Sequence, residues 1–322
     1  SIEPGLLPQD YINEYCENYY VVDNYYRHAI NEYSKISEPY EYETLLVNDV
    51  DNTYENTFLS KLGGEYSRSL MKIQPSYDFG SVELSKYFYK NRVNRPVKKQ
   101  FVIISDALRY EVAVDLLKEL NNEKTFKGGF KLEHQVTTLP SITSFGMASL
   151  LPNEKISYKE KQVYVDDMPT NTTEARDKVL KKYSNSYAAI QYDNIMKMNV
   201  AELRAYMSDK SCLYIYHDTI DNAGEHDFDV FEACNKAVKE IFDCVKKIYN
   251  TLQTSFYTIT SDHGFIYRNK KIDESSKYPT LAPLGLDDYS QRYAIISDNT
   301  ELNDSNVFDM NYLNDCNMKV YT

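Results

Sequence analysis

Acidic and histidine side chains follow two apolar segments of the sequence, at the points where each segment ends. Asp106 follows the run FVIIS, and Asp262 and His263 follow the run FYTITS. A carboxylate next to an imidazole supplies an oxygen and a nitrogen ligand, a set suited to zinc or manganese. Gly264 comes directly after the pair and lets the backbone turn away. If both segments are strands of one sheet, these three side chains can bind one metal ion.

A third apolar segment, CLYIY, is followed by the most ligand-rich loop of the chain. Five potential ligands occur within ten residues: His217, Asp218, Asp221, Glu225 and His226. Asp221 and a second ligand four residues later, with Gly224 between them, can reach one ion from a loop that enters a helix. The loop therefore predicts part of a metal site.

Each of these pieces also has an ordinary structural interpretation. Asp106 fits a helix N-cap, because Ser and Asp are preferred there. Asp262 and His263 fit a buried turn acid beside a surface histidine, and the third loop fits a solvated acidic loop. The functional interpretation depends on the three pieces occurring together.

The segment TTLPSITSFGMASLLP, residues 137–152, predicts a hydroxyl group near the start of a helix. Thr138 precedes a Leu-Pro-Ser turn and a helix of small residues, whose N-terminal N–H groups favour a phosphoryl oxygen. Threonine is a poor nucleophile near neutral pH unless a metal ion lowers its pKa. Without a neighbouring metal, the segment is simply the start of a helix.

The elements that must position these groups alternate between short apolar strands and longer amphipathic helices. The clearest helix covers residues 231–252, with one apolar stripe. The alternation predicts an α/β fold, with a mostly parallel sheet and helices on both faces. In such sheets, functional groups gather at the carboxyl ends of the strands. The predicted strands are residues 101–105, 188–192, 213–217, 256–261, 293–296 and 319–321.

The beginning of the chain has a different pattern. Apolar and aromatic residues at helical spacing over residues 8–34 predict helix, and further helix is expected over residues 54–73. The run KNRVNRPVKK, residues 90–99, is poor core material because it combines proline with clustered charge. We therefore expect a mainly helical segment over residues 1–95 and the catalytic core over residues 96–322. The run is expected to be a solvated boundary, with contact to DNA or to another protein as the alternative.

The charge and composition of the chain further limit the classes of function that it can have. A formal net charge of −12 over 322 residues repels nucleic acid, so a polyanionic substrate needs a local cation such as a metal ion. The longest apolar runs are too short to cross a bilayer. Five cysteines without metal-type spacing predict reduced thiols and a cytoplasmic location. Because the sequence starts at Ser1 instead of methionine, we expect a fragment of a longer protein.

The order of these motifs resembles the alkaline phosphatase superfamily, which includes phosphodiesterases, sulfatases and cofactor-independent phosphoglycerate mutases. An Asp after the first strand, a Thr-x-Pro-Ser segment, an Asp-x-x-Gly loop and a late Ser-Asp-His-Gly occur in that order. The runs SDALRYE, TLPSITSFGMASLLP and SDHGFIY are similar to PglZ domains of bacterial BREX phage-defence systems. The resemblance covers residues 101–296 and implies an alkaline-phosphatase-like core.

The resemblance also implies residue roles. Asp106, Asp262 and His263 match the ligands of one metal ion, which Thr138 would contact as the nucleophile. Asp221 matches the first ligand of a second ion. Zinc is the expected metal, with manganese and magnesium as the alternatives.

The second metal site is where this sequence departs from the superfamily. A histidine after glycine usually stands four residues after the first ligand, but Glu225 stands here, with His226 one place further on. We prefer Glu225 by register and keep His226 as the alternative. No histidine follows His263, although the superfamily normally supplies one. One tight site and one weaker or incomplete site are therefore expected, and Lys277 is a candidate to replace the missing charge.

Taken together, the resemblance implies a metal-dependent phosphohydrolase of a BREX-type antiviral system that attacks a phosphoester through Thr138. Arg109 could hold non-bridging phosphate oxygens bidentately, and Arg292 is a weaker candidate for the same task. One alternative is a phosphodiesterase or nuclease with the same centre. Another is a weakened scaffold that binds other defence proteins. Other BREX proteins are the expected partners, and no membrane contact is expected.

Overall fold

In a computed structural model of the chain, the structure describes residues 2–126, 128–225, 229–254, 256–267, 288–289, 293–297 and 307–321. The chain divides into two compact units. The first unit joins Ser1–Val82 to Phe265–Thr322, and the second is Glu83–Gly264. The boundary expected near residue 95 from the charge pattern stays a prediction.

The first unit begins with helices, as the amino-terminal pattern predicts. The Tyr-rich face of these helices is a core: the rings of Tyr26 and Tyr54 stack with centroids 3.7 Å apart. Tyr26 donates a hydrogen bond to Asp51 at 2.7 Å, and Tyr54 donates one to Asp23 at 2.5 Å. These tyrosines are therefore structural. The helices are α1 (Pro8–Glu14), α2 (Tyr20–Ser34), α3 (Glu41–Thr53) and α4 (Ser60–Met71), with π-helical turns at Tyr15–Tyr19 and Tyr54–Leu59.

The carboxyl-terminal strands of the first unit form an antiparallel sheet. The predicted strands at residues 293–296 and 319–321 are present, but they pair antiparallel with each other, with Ala294 opposite Tyr321. A parallel pair needs a long crossover, usually a helix, and the described residues between these strands contain no α-helix. The four strands of this sheet are Asp288–Tyr289, Ala294–Ser297, Val307–Asp309 and Met318–Tyr321, and a 3₁₀ turn covers Asn311–Leu313.

The second unit contains the predicted parallel sheet. Four strands lie in the order β7 (Tyr187–Gln191), β8 (Cys212–His217), β2 (Gln100–Ser105) and β9 (Tyr257–Thr260), and every neighbouring pair is parallel. Strands β2 and β8 are buried along their whole length, which is why they read as continuous apolar runs. The strands of this unit are β1 (Glu83–Leu84), β2 (Gln100–Ser105), β3 (Gln135–Val136), β4 (Ile156–Lys159), β5 (Gln162–Val165), β6 (Met168–Pro169), β7 (Tyr187–Gln191), β8 (Cys212–His217) and β9 (Tyr257–Thr260).

Helices connect and cover these strands, which confirms the α/β fold class. The longest helix among the described residues, α11 (Val230–Leu252), buries Phe231, Cys234, Ile241 and Val245 on one face, as its apolar stripe predicts. No helix among the described residues is long and apolar enough to cross a membrane. The helices are α5 (Tyr110–Asn122), α6 (Thr143–Ser149), α7 (Thr173–Tyr183), α8 (Tyr192–Lys197), α9 (Val200–Tyr206), α10 (Thr219–Glu225) and α11 (Val230–Leu252), with single turns at Ser85–Tyr87 and Tyr89–Val93.

Candidate metal centre

Three adjacent strands of the parallel sheet deliver the predicted ligands to one edge. Asp106 follows β2 directly, Asp262 lies two residues after β9, and Asp221 lies in α10 just beyond β8. The N–H of Asp106 donates to the carbonyl of His217 at 2.7 Å, which fixes the end of β2 against the end of β8. Because the strands are parallel, groups far apart in sequence meet at their carboxyl ends.

The ligand atoms converge. One side-chain atom each of Asp106, Asp221 and His263 lies within 4.8 Å of the others. His263 Nε2 also lies 3.3 Å from Asp106 Oδ1 and 3.6 Å from Asp262 Oδ2. The family resemblance assigns these residues to two metal ions, but in the structure they lie together. We call this group the aspartate cluster: Asp106, Asp221, Asp262 and His263.

The imidazole of His263 is oriented by its backbone neighbour. Nδ1 lies 2.8 Å from the carbonyl oxygen of Gly264. A carbonyl can only accept, so Nδ1 carries the proton and Nε2 faces the carboxylates. This is the arrangement by which proteins orient a histidine ligand for a metal ion.

The carboxylates of the aspartate cluster fit a cation. Asp106 Oδ1 and Asp262 Oδ2 are buried and accept no hydrogen bond of ordinary geometry among the described residues; His263 Nε2 faces them at 3.3 Å and 3.6 Å. Burial and the charge of Asp106 raise the pKa of Asp262. Burial lowers the pKa of His263, but the neighbouring carboxylates outweigh burial and raise it. A divalent ion would satisfy both oxygens and relieve the repulsion between the two carboxylates.

The turn after β2 holds the cluster together. Ala107 has a positive φ of 61°, and its N–H donates to Asp262 Oδ1 at 3.2 Å. A left-handed conformation is uncommon for alanine and is typical of functional sites. The N-cap of α5 is Arg109, so Asp106 is not the helix cap that its sequence context also allowed.

The threonine-rich segment at residues 137–146 packs against the same cluster. Thr137 Oγ1 donates to the carbonyl oxygen of Asp262. A Cβ on Gly146 would lie 2.5 Å from that same carbonyl oxygen, so α6 can approach Asp262 this closely only because glycine has no side chain. The segment therefore lies beside the candidate metal ligands.

Thr138 does not stand at the start of α6, which corrects one expectation from the sequence. The helix begins at Thr143, after the N-cap Ile142, because the chain first turns at Pro140, whose carbonyl accepts from the N–H of Ile142. Thr138 is 1% exposed, and its Oγ1 donates to the carbonyl of Pro140 at 3.4 Å. Its role as the nucleophile stays a prediction.

Thr143 is a site residue that the sequence reasoning missed. It is the first residue of α6, it is half-buried, and its Oγ1 lies 3.1 Å from His263 Nε2. Two threonines stand five residues apart around one proline, and nothing in their spacing indicates which one faces the ligands. The residue at which α6 begins, Thr143, is seen only in the structure.

Of the other predicted site residues, some lie in the described part of the chain and others do not. Arg109 is 8% exposed, and its Nε lies 3.9 Å from the carboxylate of Glu111, which is fully buried. Its catalytic role stays a prediction. Glu225 ends α10, but its side chain lies outside the described part of the chain. His226, Lys277 and Arg292 lie wholly outside the described residues.

A second histidine at the same sheet edge belongs to a different kind of group. His217 Nδ1 lies 3.0 Å from Ser105 Oγ, and Nε2 lies 3.0 Å from Glu240 Oε2. Thr219 donates to the same Glu240 oxygen at 2.6 Å. Burial raises the pKa of Glu240, but the hydrogen bonds from His217 and Thr219 outweigh it and lower the pKa to about 2. We call these four residues the His217 group; both nitrogens of its imidazole have partners.

Comparisons with known proteins identify the family of the chain. The family model of the BREX system PglZ alkaline phosphatase-like domain matches residues 86–314. The chain is 34% identical over 314 residues to the alkaline phosphatase-like protein PglZ of Bacillus cereus (strain H3081.97), covering 95% of this chain and 36% of that protein. It is 33% identical over 280 residues to the alkaline phosphatase-like protein BrxZ of Escherichia coli O9:H4 (strain HS), covering 82% and 32%. The chain thus spans about a third of the length of the curated relatives it matches. It belongs to the PglZ family of alkaline phosphatase-like domains of BREX systems.

Proposed function

We propose that the chain is the catalytic core of a metal-dependent phosphohydrolase in a BREX-type phage-defence system. One observation carries the proposal: ligand atoms of Asp106, Asp221 and His263 lie within 4.8 Å of one another at the carboxyl ends of parallel strands. Buried carboxylate oxygens without hydrogen-bond partners support it further. Neighbouring buried carboxylates lower the stability of a protein unless a cation lies between them, so their presence here favours a functional role.

Asp106, Asp262 and His263 would hold the tighter ion, and Asp221 with Glu225 or His226 would hold the weaker one. Zinc suits this mixture of carboxylate and imidazole ligands, and manganese or magnesium is the alternative. When bound, a divalent ion polarises a phosphoryl oxygen and lowers the pKa of a hydroxyl group next to it. We keep the proposal of one tight and one weaker site, because Asp221 has at most one more ligand from its own loop.

A threonine oxygen would act as the nucleophile. It would form a bond to phosphorus as the ester oxygen leaves, and water would then hydrolyse the phosphothreonine. Thr138 is the candidate from sequence. Thr143 is the second candidate, because its Oγ1 lies 3.1 Å from His263 Nε2 and its side chain is half-buried, whereas Thr138 is almost fully buried. Arg109 remains the proposed phosphate-binding cation.

The substrate is proposed to be a phosphoester, with the same centre serving a phosphodiesterase or nuclease as the alternative. Other BREX proteins are the proposed partners, and a cytoplasmic location is proposed. A catalytically weakened scaffold is the competing function, and activity assays separate it from an enzyme.

The test uses chain stripped with a chelator and then supplied with Zn²⁺, Mn²⁺ or Mg²⁺. Hydrolysis of p-nitrophenyl phosphate and bis-p-nitrophenyl phosphate is measured side by side with metal content. We expect metal-restored hydrolysis of at least one ester. Absence of turnover with every metal, in chain that binds metal, would support the scaffold.

Single variants identify the nucleophile. The proposal predicts that either Thr138→Ala or Thr143→Ala abolishes turnover while metal content stays near the wild-type value. The conservative Thr→Ser variant at the same position should keep part of the activity, because it keeps the hydroxyl group. Substantial activity in both alanine variants would point to direct attack by water.

A further inference from the structure

A cavity of about 360 Å³ lies beside the aspartate cluster within the second unit. Asp106 lines one part of it. The amino-terminal end of α7, with Thr172 as N-cap and Thr173 as first residue, lines another part. Cavities that take small molecules are about 300–1,000 Å³, so this one has room for a modest substituent.

A buried cation also lines the cavity. Arg176 is 8% exposed, its Nε donates to the carbonyl of Thr170 at 2.8 Å, and its guanidinium lies 4.7 Å from the ring centre of Tyr216. Among the described residues, no carboxylate lies within ion-pairing distance of Arg176. A guanidinium cannot lose its proton in a protein, and a buried charge requires a counter-charge. The cavity therefore contains a positive charge that lacks an anion.

An unsatisfied donor lies next to this cation. Tyr216 is 3% exposed and lines the cavity, and its hydroxyl proton has no acceptor among the described residues, since the neighbouring Arg176 can only donate. Burial raises the pKa of Tyr216, so the phenol keeps its proton at neutral pH. Buried hydroxyl groups normally find a partner, so an acceptor from a ligand would fill the gap.

Helix α7 also favours the binding of an anion in this cavity. Helix α7 has 11 residues, and its amino-terminal N–H groups and dipole favour negative charge. Glu174 and Asp218 also line the cavity, but both are exposed, so solvent and salt screen their charges. Three lining residues that bear on an anion are buried: Asp106, Arg176 and Tyr216. With Asp106 holding the metal ion, Arg176 and Tyr216 are left to bind an anion in the inner part of the cavity.

We propose that this cavity binds a second anionic group of the substrate, so that the substrate class is a phosphoester whose substituent carries a further phosphate, as in a nucleotide with two phosphates. This rests on the proposed function, because Asp106 would then hold the metal ion at the phosphorus that is attacked. Arg176 and Tyr216 would bind the second phosphate, with the guanidinium suited to its oxygens.

The kinetic test compares two substrates with the same reacting bond. They are the p-nitrophenyl ester of thymidine 5′-phosphate and the same ester with an added 3′-phosphate, both assayed with the metal-loaded chain. We expect the added phosphate to lower KM about tenfold with little change in kcat, as for a hydrogen-bonded charge pair. Equal KM values for the two esters would overturn the proposal.

Variants assign the effect to the cavity. Tyr216→Phe removes one hydroxyl group without a protein partner, so folding should be unaffected, and the preference for the added phosphate should fall about threefold or more. Arg176→Lys should reduce it further. The matched control is Tyr257→Phe, which removes another buried hydroxyl without a partner from β9, outside the cavity lining. A loss of affinity for both esters alike, or an equal effect in Tyr257→Phe, would contradict the assignment.

A binding measurement separates this inference from the proposed function. Calorimetry compares thymidine 5′-phosphate with thymidine 3′,5′-bisphosphate on the metal-loaded chain. If neither ester is hydrolysed but the bisphosphate binds about tenfold more tightly in a Tyr216-dependent way, the hydrolase proposal fails and the anion site stands. If hydrolysis occurs without any preference in rate or binding, the hydrolase stands and the anion site fails.

Discussion

Two histidine–carboxylate groups lie at the same edge of the parallel sheet and differ in how well they are satisfied. In the His217 group, both ring nitrogens have partners, and Glu240 receives hydrogen bonds that lower its pKa to about 2. In the aspartate cluster, two buried carboxylate oxygens accept no hydrogen bond of ordinary geometry among the described residues, and burial and the charge of Asp106 raise the pKa of Asp262. The same residue types therefore have opposite electrostatic environments.

The difference separates a group that stabilises the fold from one that is arranged for a ligand. A buried polar network with every member bonded rigidifies its surroundings. Neighbouring buried carboxylates with unsatisfied oxygens repel each other in the metal-free protein, and a cation between them relieves that repulsion. Shifted pKa values and unsatisfied oxygens thus identify the aspartate cluster more clearly than residue type does.

The largest expected effect is that of Asp262→Asn. Loss of a carboxylate from the aspartate cluster should lower metal-dependent turnover on the order of a thousandfold. The metal-free chain should become more stable by about 1 kcal/mol, because a buried like charge is removed. Hydrolysis of p-nitrophenyl phosphate and urea unfolding in the presence of a chelator measure the two effects.

The control for this variant is Asp243→Asn, at an exposed position on α11. It should change neither turnover nor stability by a measurable amount. A metal-free Asp262→Asn chain that is clearly less stable than the wild type would mean that Asp262 is satisfied in a way that contradicts the comparison.

The second effect is that of His217→Ala, which should act in the opposite direction. The buried Ser105 hydroxyl would lose its partner and a cavity would form, so the free energy of unfolding should fall by about 2–3 kcal/mol. Metal affinity of the folded variant should stay within about threefold of the wild type, since the backbone carbonyl that holds Asp106 remains. Isothermal calorimetry with Mn²⁺ checks this, and loss of metal binding would assign His217 to the metal site instead.

The third effect is that of Gly146→Ala, which tests how closely α6 must approach the aspartate cluster. A Cβ would lie 2.5 Å from the Asp262 carbonyl oxygen, so either α6 or β9 must shift. We expect a loss of about 1–2 kcal/mol in the free energy of unfolding and a reduced kcat. In the control Gly63→Ala, a Cβ meets no atom within 4 Å, so the change should be neutral or stabilising. An unchanged kcat in Gly146→Ala would show that the threonine segment need not stay in place.

Much of this fold is predictable from sequence, because it depends on periodic burial. The apolar runs before Asp106 and Asp262 are strands, and the apolar stripe of α11 is buried as expected. Because these strands are parallel, their carboxyl ends lie at the same edge of the sheet. The pairing of residues 294–297 with 318–321 was not predictable, because an apolar run does not reveal the direction of its partner.

The convergence of the candidate ligands was predictable from sequence, but the contacts around them were not. Residue type and strand-end position indicated Asp106, Asp221, Asp262 and His263. The position of Thr143 next to His263 depends on the turn at Pro140. One hydrogen-bond partner of His217, Ser105, lies on β2, and the other, Glu240, lies on α11, 23 residues further along the chain. Such contacts depend on tertiary packing, which spacing alone does not encode.

The smallest effect concerns the pH dependence of stability in the His217 group. The pKa of Glu240 in the folded chain is about 2, below its usual value of 4.5. A carboxyl group with a lowered pKa contributes stability at pH values above 4.5 and loses that contribution as the pH falls toward 2. Glu240→Gln removes this contribution, so the free energy of unfolding should depend less steeply on pH in that range. The effect should be modest because Glu240 is partly exposed, and it should be absent from Glu119→Gln, at an exposed position on α5. Urea unfolding of the three proteins at pH values from about 3 to 6 measures the slopes. An identical slope in wild type and Glu240→Gln would mean that His217 does not stabilise the charged carboxylate, and the contrast between the two groups would then lie in burial alone.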